Sequence, residues 1–238
     1  MTVVAIHQPN YLPWIGFFHK LARADVYVSL DSVQFNPRSY TNRCQILGQG
    51  GPLLLTVPIG KEGRHRRIDE LRIADHDRWA EKHYLSFERN YRRAPYWNEH
   101  GPFLRELYLE RRWERLVDLN EAAIRYVMDY LGIRCPLVRA SVLGVEGQST
   151  ELLLGLTRAV GGTVYLSGPT GRQYMDESRF AAEGVGLRYN EFVHPTYPQH
   201  RSPEFVPNLS VFDLLLNLGP ESRRLILDLG MRLTVVQT

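Results

Sequence analysis

The chain opens on four apolar positions, Val3-Val4-Ala5-Ile6, with no polar face. A run that short and that uniform predicts a strand buried on both sides. Trp14, Phe17, Phe18 and Leu21 then recur at helical spacing after Pro13, which a first helical turn tolerates, and the helix is expected to reach about Ala24. Val26-Tyr27-Val28-Ser29-Leu30 is a second apolar run, closed by Asp31. Strand, helix and strand within about thirty residues make a βαβ unit.

The pattern then changes. Arg38 to Leu47 and Pro52 to Ile59 read as extended segments joined by the turn GQGG, KEGRHRR as a loop, and Ile68 to Ile73 as a short strand. Asp75 or Asp77 is placed to cap a helix carrying Trp79, His83, Leu85 and Phe87 as far as Pro95. Phe103 to Leu131 is helical by composition, with a break expected near Val117 to Asn120, and its Glu110/Glu114 and Arg111/Arg115 pairs suit a solvated face.

From residue 137 strands and helices alternate again. Leu137 to Val142 reads as a strand, and Ser149 or Thr150 as the cap of a helix carrying Leu152, Leu153, Leu156 and Val160, ended by Gly161-Gly162. Thr163 to Leu166 is a strand, Phe180 and Ala181 lie on a short helix, and Leu187 to Val193 is the last strand. Leu209 to Leu218 and Ser222 to Leu229 close the chain as helices. The expected fold is α/β, a Rossmann-like parallel sheet with a mixed, largely helical insertion after the first βαβ unit, at about residues 36–135, within one domain spanning 1–238.

Composition narrows the class. The 238 residues are 44% hydrophobic and 23% charged, as in ordinary globular proteins. Lys+Arg 29 against Asp+Glu 26 gives a formal net charge of +3, too mild for a protein built to coat nucleic acid, and aromatic and basic residues are not interleaved as an RNA-binding sheet requires. No apolar run reaches the length of a membrane span, and the start MTVVAIHQPN has no secretory pattern. With only Cys44 and Cys135 present, the expectation is a cytoplasmic protein with reduced thiols and no metal cluster. HExxH, GxSxG and CxxC are absent, which argues against a zincin, an α/β-hydrolase and a zinc ribbon. No cofactor is indicated.

Chemistry collects after the strands. Open α/β sheets bind ligands beyond the carboxyl ends of their strands. His7 and Gln8 follow the first strand, Asp31 and Gln34 the second, Ser167, Gly168 and Gly171 a later one, and His194 the last. If these strands are parallel, the segments meet on one edge. Gln8, Asn10, Tyr11 and Trp14 gather over a helix N-terminus, which favours anions. SGPTGRQY adds Arg172, a potential phosphate or carboxylate partner, but lacks the GK[ST] of a Walker loop. In RSYTNR, strand alternation would put Arg38, Tyr40 and Asn42 on one face, with Arg43 beside them; a solvated edge is equally compatible. GRHRR is most simply a charged loop. HPTYPQ offers His194, Tyr197 and Gln199 as ligand contacts.

Taken in order, IHQPNYLPWIGFFHK, ADVYVSLDSVQFNPRSYTNR, LLLTVPI, KHY, YRRAPYW, YLSGPTGRQYMD and FVHPTYPQ…FVPNLSVFDLLLNLGP resemble the WbqC-like protein family across residues 3 to 220. Ser32 stands where Asp is expected and Leu216 where Phe is usual. The resemblance implies a soluble bacterial protein from the setting of surface polysaccharides or modified sugars. It points to acyl or aminoacyl transfer, forming an amide on a nucleotide-linked amino sugar, and assigns no catalytic residue. On the strand-end argument, His7 or His194 is the base, Asp31 orients His7 or binds an ammonium, and Gln8, Ser167 or Gly168 N–H are donors to an oxyanion. The expected partner is a phosphate-bearing small molecule, with a carrier protein or a neighbouring biosynthetic enzyme as a second partner. A nucleotidylyltransferase-like enzyme is one alternative. A non-catalytic partner protein, making contact through Tyr108 and Trp113, is the other.

Overall fold

A computed structural model describes residues 1–74 and 78–228. Five strands, β1 (Val3–His7), β2 (Val26–Ser29), β5 (Leu137–Arg139), β6 (Val164–Ser167) and β7 (Gly186–Tyr189), form one sheet in the order β5-β2-β1-β6-β7. Every pairing in it is parallel. The chain builds outward from β1 to β2 and β5, then returns to the other side of β1 for β6 and β7. This is the doubly wound, Rossmann-like arrangement, and its topological switch lies between β1 and β6.

Alternation along the strands explains the layers. Ala5 and Tyr27 face an apolar cluster that includes Phe17, Phe18 and Leu21 of helix α1 (Ile15–Leu21) and residues as distant as Ile226. Val4, Ile6, Val28 and Tyr165 face the opposite cluster, filled by α5 (Ser149–Ala159) and α6 (Glu177–Ala182). Between β2 and β5 the chain leaves the sheet. It forms the antiparallel hairpin β3 (Arg43–Gly48) and β4 (Gly51–Thr56), then α2 (Trp79–Tyr91), α3 (Trp97–Arg105) and α4 (Leu116–Leu131). Helices α7 (Val211–Leu218) and α8 (Glu221–Asp228) follow β7.

Several local expectations shift. Helix α1 stops at Leu21, and β3 begins only at Arg43, with Arg38 to Tyr40 in a turn closed by Ser39 N–H on the Asn36 carbonyl. Alternation therefore does not place Arg38, Tyr40 and Asn42 on one face. Ile68–Glu70 is a 3-10 turn, and Ala140–Val142 follows β5 as another. The helical stretch after Phe103 breaks at residues 111–115 rather than at 117–120, and residue 148 precedes α5 without a side-chain cap. The Asp75 and Asp77 capping positions lie outside the described residues. Tyr108 is buried, its hydroxyl against that of Tyr11, so it offers no docking surface. Both cysteines are free and buried. No helix among the described residues is long and apolar enough to cross a membrane.

Candidate functional site at the sheet switch

Because all five strands run the same way, His7, Ser29, Arg139, Ser167 and Tyr189 end at one edge. The β1–β6 ladder stops at Ala5↔Leu166, whereas β1 continues to pair with β2 through His7↔Ser29. Beyond Leu166 the β1–β6 ladder makes no further rung among the described residues, which leaves a gap in the ladder at the switch point.

His7 stands on the β1 side of this gap. Its ring lies edge-on to Phe17, centroids 5.0 Å apart, and Nδ1 is 2.9 Å from the Gln8 carbonyl. A carbonyl only accepts, so Nδ1 carries the proton and Nε2 presents a lone pair. Nε2 has no hydrogen-bond partner among the described residues and is not among the buried polar atoms left unpaired. Burial first, then the nearby Lys20 charge, lowers the imidazole pKa to about 4, the Gln8 carbonyl offsetting part of this. His7 is therefore neutral at neutral pH, an acceptor rather than a donor at Nε2.

The HQPNYLPW loop is pinned by the insertion. Thr41 Oγ1 donates to Gln8 Oε1 at 3.1 Å, which turns the Gln8 amide N–H groups away from Thr41. Asn120 Nδ2 on α4 donates to the Pro9 and Thr41 carbonyls, both at 2.7 Å. Tyr11 is fully buried and its hydroxyl is 2.8 Å from His83 Nδ1, so it anchors the loop rather than meeting a ligand. The Asn10 side chain, buried, makes no hydrogen bond among the described residues. Helix α1 has seven residues, and its entry pairs with the chain at Trp14↔Ser210 and through Val211 N–H on the Pro13 carbonyl. The anion site expected at that N-terminus is thus not the feature that organises the rim.

Across the gap, Ser167 is buried and donates to the Gly168 carbonyl at 3.1 Å. Gly168 borders open space. Gly171 does not: a Cβ there would meet Ser167 Oγ and Met175 Cε, and those side chains would have to shift to admit it. Arg172 turns outward, 4.1 Å over the Tyr189 ring and 3.3 Å from Glu191. Asn190, missed in the sequence, donates its N–H to the Ser167 carbonyl at 2.8 Å and keeps a buried Oδ1 without a partner among the described residues. Lys20, also missed, is 3% exposed, with Nζ 2.8 Å from the Ile6 carbonyl and 5.9 Å from the Tyr165 ring centroid. A lysine hemmed in by apolar neighbours in IGFFHKLA was the available signal.

The other expected residues are committed elsewhere. His194 stacks on Trp14 (6.1 Å, 20°), but Nδ1 is held by the Pro195 carbonyl and Nε2 accepts from Asn208 N–H, leaving no free nitrogen for a base. Burial lowers its pKa, the Pro195 carbonyl opposing. Asp31 accepts from Ser141 N–H at 2.8 Å and Ser141 Oγ–H at 2.7 Å; it holds the turn after β5 and does not orient His7. Tyr197 and Gln199 donate to the buried Asp213 carboxylate, both at 2.9 Å, together with Tyr91 at 2.8 Å. Gln34 pairs with Arg67, away from the gap, and Arg38 is exposed. Asn42 donates to the Val57 carbonyl, and among the described residues its Oδ1 and the buried Arg43 Nε have no partner. In GRHRR, Arg66 and Arg67 pair with Glu70 and Asp69, as a charged loop would.

Next along the rim, Glu121 accepts from Ser29 Oγ at 2.8 Å and from Arg139 Nε and Nη2, and Arg139 Nη2 also reaches Asp118 at 2.6 Å. This network floors a groove of about 550 Å³ walled by Phe103, Trp113 and Tyr126. No group of three or more His, Cys, Asp or Glu side chains placed to hold a metal occurs among the described residues.

Residues 8–225 match the model of the WbqC-like protein family. Uncharacterized protein Rv1507c of Mycobacterium tuberculosis is 34% identical over 225 residues, covering 93% of this chain and 96% of that protein. No solved structure matches. On the breadth of both similarities, this chain belongs to the WbqC-like protein family.

Proposed function

We propose that the protein is a transferase that forms an amide on a small amine, with the reaction centred in the gap between β1 and β6. The observation that carries this is the His7 imidazole: neutral, fixed by the Gln8 carbonyl, with Nε2 at the switch point of the sheet and without a hydrogen-bond partner among the described residues. As the substrate nitrogen attacks an acyl carbonyl carbon, Nε2 takes the amine proton. The tetrahedral oxyanion is met by the Gln8 amide N–H, which Thr41 orients. Collapse expels the leaving group, and the proton passes to it from His7. The family setting favours a nucleotide-linked amino sugar as the amine and an activated acyl or aminoacyl donor, free or on a carrier protein. Cytoplasmic residence is part of this reading.

A nucleotidylyltransferase-like reaction has one feature in its favour. The sheet order reverses where nucleotide phosphates commonly lie.

The test is a thermal-shift panel followed by turnover. Nucleotide-linked amino sugars should raise the melting temperature of the protein, by about 2.7 kcal/mol of stabilisation at a hundredfold excess over Kd. With an activated acyl donor, His7→Asn should lower product formation by about 10²–10⁴-fold and leave the melting temperature unchanged. Equal turnover by His7→Asn refutes the reading. A response to nucleoside triphosphate and Mg²⁺ alone, with pyrophosphate release, establishes the alternative.

A further inference from the structure

Four charged side chains other than histidine are buried among the described residues: Lys20, Asp31, Glu121 and Asp213. The three carboxylates each accept two or more hydrogen bonds. Lys20 differs. It makes no ion pair among the described residues, and one of its three donors is satisfied, by the Ile6 carbonyl.

The position of that carbonyl explains where the ammonium sits. Asp25 N–H bonds the Val3 carbonyl and Leu30 N–H the His7 carbonyl, so odd-numbered carbonyls of β1 face β2. By alternation the Ile6 carbonyl faces β6. On that side Val164 N–H bonds the Thr2 carbonyl. Advancing two residues per rung along both strands, the Ile6 carbonyl would receive Gly168 N–H. That rung is not made. Lys20 Nζ takes the carbonyl, and Gly168 N–H has no hydrogen bond among the described residues. The gap thus holds a cation with two unused donors and an idle backbone N–H. It is bordered by Gly168, where no side chain fills the space.

We propose that Lys20 Nζ and Gly168 N–H form an anion subsite in the gap between β1 and β6 that binds the phosphoryl or carboxylate oxygens of the substrate. The proposal rests on the reading of this gap as the substrate site. It names the group by which the substrate is anchored and leaves His7 to the amine. An incoming anion supplies the counter-charge that the fold withholds from Lys20, and accepts from Gly168 N–H in place of the Ile6 carbonyl. Burial lowers the Lys20 pKa to about 7, in keeping with an ammonium that lacks a partner.

The chain contains three lysines, Lys20, Lys61 and Lys82, the latter two exposed. Lysine labelled with ¹³C at Cε therefore gives a signal for Lys20 with two internal controls, assigned by its loss in Lys20→Met. Titration with inorganic phosphate or pyrophosphate in one arm, and acetate in the other, should shift the Lys20 signal saturably while Lys61 and Lys82 stay put; the arm that saturates at lower concentration identifies the anion. Lys20→Met and Lys20→Gln, the second keeping a donor for Ile6, should weaken binding at least tenfold, followed by the His7 ring ¹⁵N signals. If the His7 signals move and Lys20 does not, or both variants bind as wild type, the subsite is refuted and the gap remains the substrate site. If no lysine signal responds to any of the anions, the subsite is refuted too, and His7→Asn turnover decides the wider reading by itself.

Discussion

At the β2–β5 end of the rim, Ser29, Asp31, Glu121 and Arg139 direct their donors and acceptors to one another and to Ser141 and Asp118. One strand away, at the β1–β6 end, His7 Nε2, two N–H donors of Lys20 and Gly168 N–H have no partner among the described residues. Both ends belong to the same sheet and carry the same kinds of side chain. They differ in what the next segment of chain does. After β5 the backbone turns tightly, and Ser141 comes back to Asp31. After β1 and β6 the rung that would close the ladder is missing among the described residues. A buried polar group without a partner is costly. The contrast is therefore between an end whose charged groups pair with one another and an end where a buried ammonium, that of Lys20, has no ion-pair partner among the described residues.

The contrast can be broken at its closed end. Arg139→Met strands Glu121, whose side chain is 5% exposed, with Ser29 as its remaining donor. Removing one partner of a buried ion pair costs about 3–5 kcal/mol. The guanidinium keeps some contact with water, so the low end of about 3 kcal/mol is expected, a fall in melting temperature of roughly 6–12 °C. The double variant Arg139→Met/Glu121→Leu should recover most of it, because no buried charge is then left alone. If Arg139→Met melts as wild type, the closed end is not held by its polar network.

A smaller effect sharpens the open end. The folded-state pKa of Lys20, about 7, lies below its ordinary value of 10.5. Between those values the unfolded chain binds more protons than the folded one, so this group makes stability rise with pH from about 7 to 10.5. The slope is at most about 1.4 kcal/mol per pH unit. Denaturant melts across that range should show the rise in wild type and its loss in Lys20→Met, measured as a difference between the two so that other groups cancel. A saturating anion should flatten the wild-type slope as well. Parallel slopes in the two proteins would mean that Lys20 is already paired.

The sheet was legible because its signals are local. Val3 to Ile6, Val26 to Leu30 and Thr163 to Leu166 are apolar on both faces, as parallel strands between two helical layers must be. The strand-end placement of His7, Gln8, Ser167 and Gly168 was legible for the same reason, since they close or follow those runs directly. Residue roles that depend on distant partners were not. Asp31 looks free until Ser141, 110 residues on, is folded against it. Tyr197 and Gln199 look like ligand contacts until Asp213 is buried beneath them. Lys20 was hidden by the general rule that lysines are exposed, and the missing rung at Ile6 exists only in the assembled sheet. Arg38 and Tyr40 illustrate a different limit: RSYT closes a turn on Asn36 where alternation suggested a strand.

In the proposed function the unpaired end of the rim, not the paired end with its conspicuous groove, receives the substrate. A crystal of the protein soaked with a nucleotide-linked amino sugar tests it directly. We expect difference density in the gap between β1 and β6, with an anionic group at Lys20 Nζ and Gly168 N–H and the amine facing His7 Nε2. Density confined to the groove walled by Phe103, Trp113 and Tyr126 and floored by Arg139, with the β1–β6 gap empty, would contradict it.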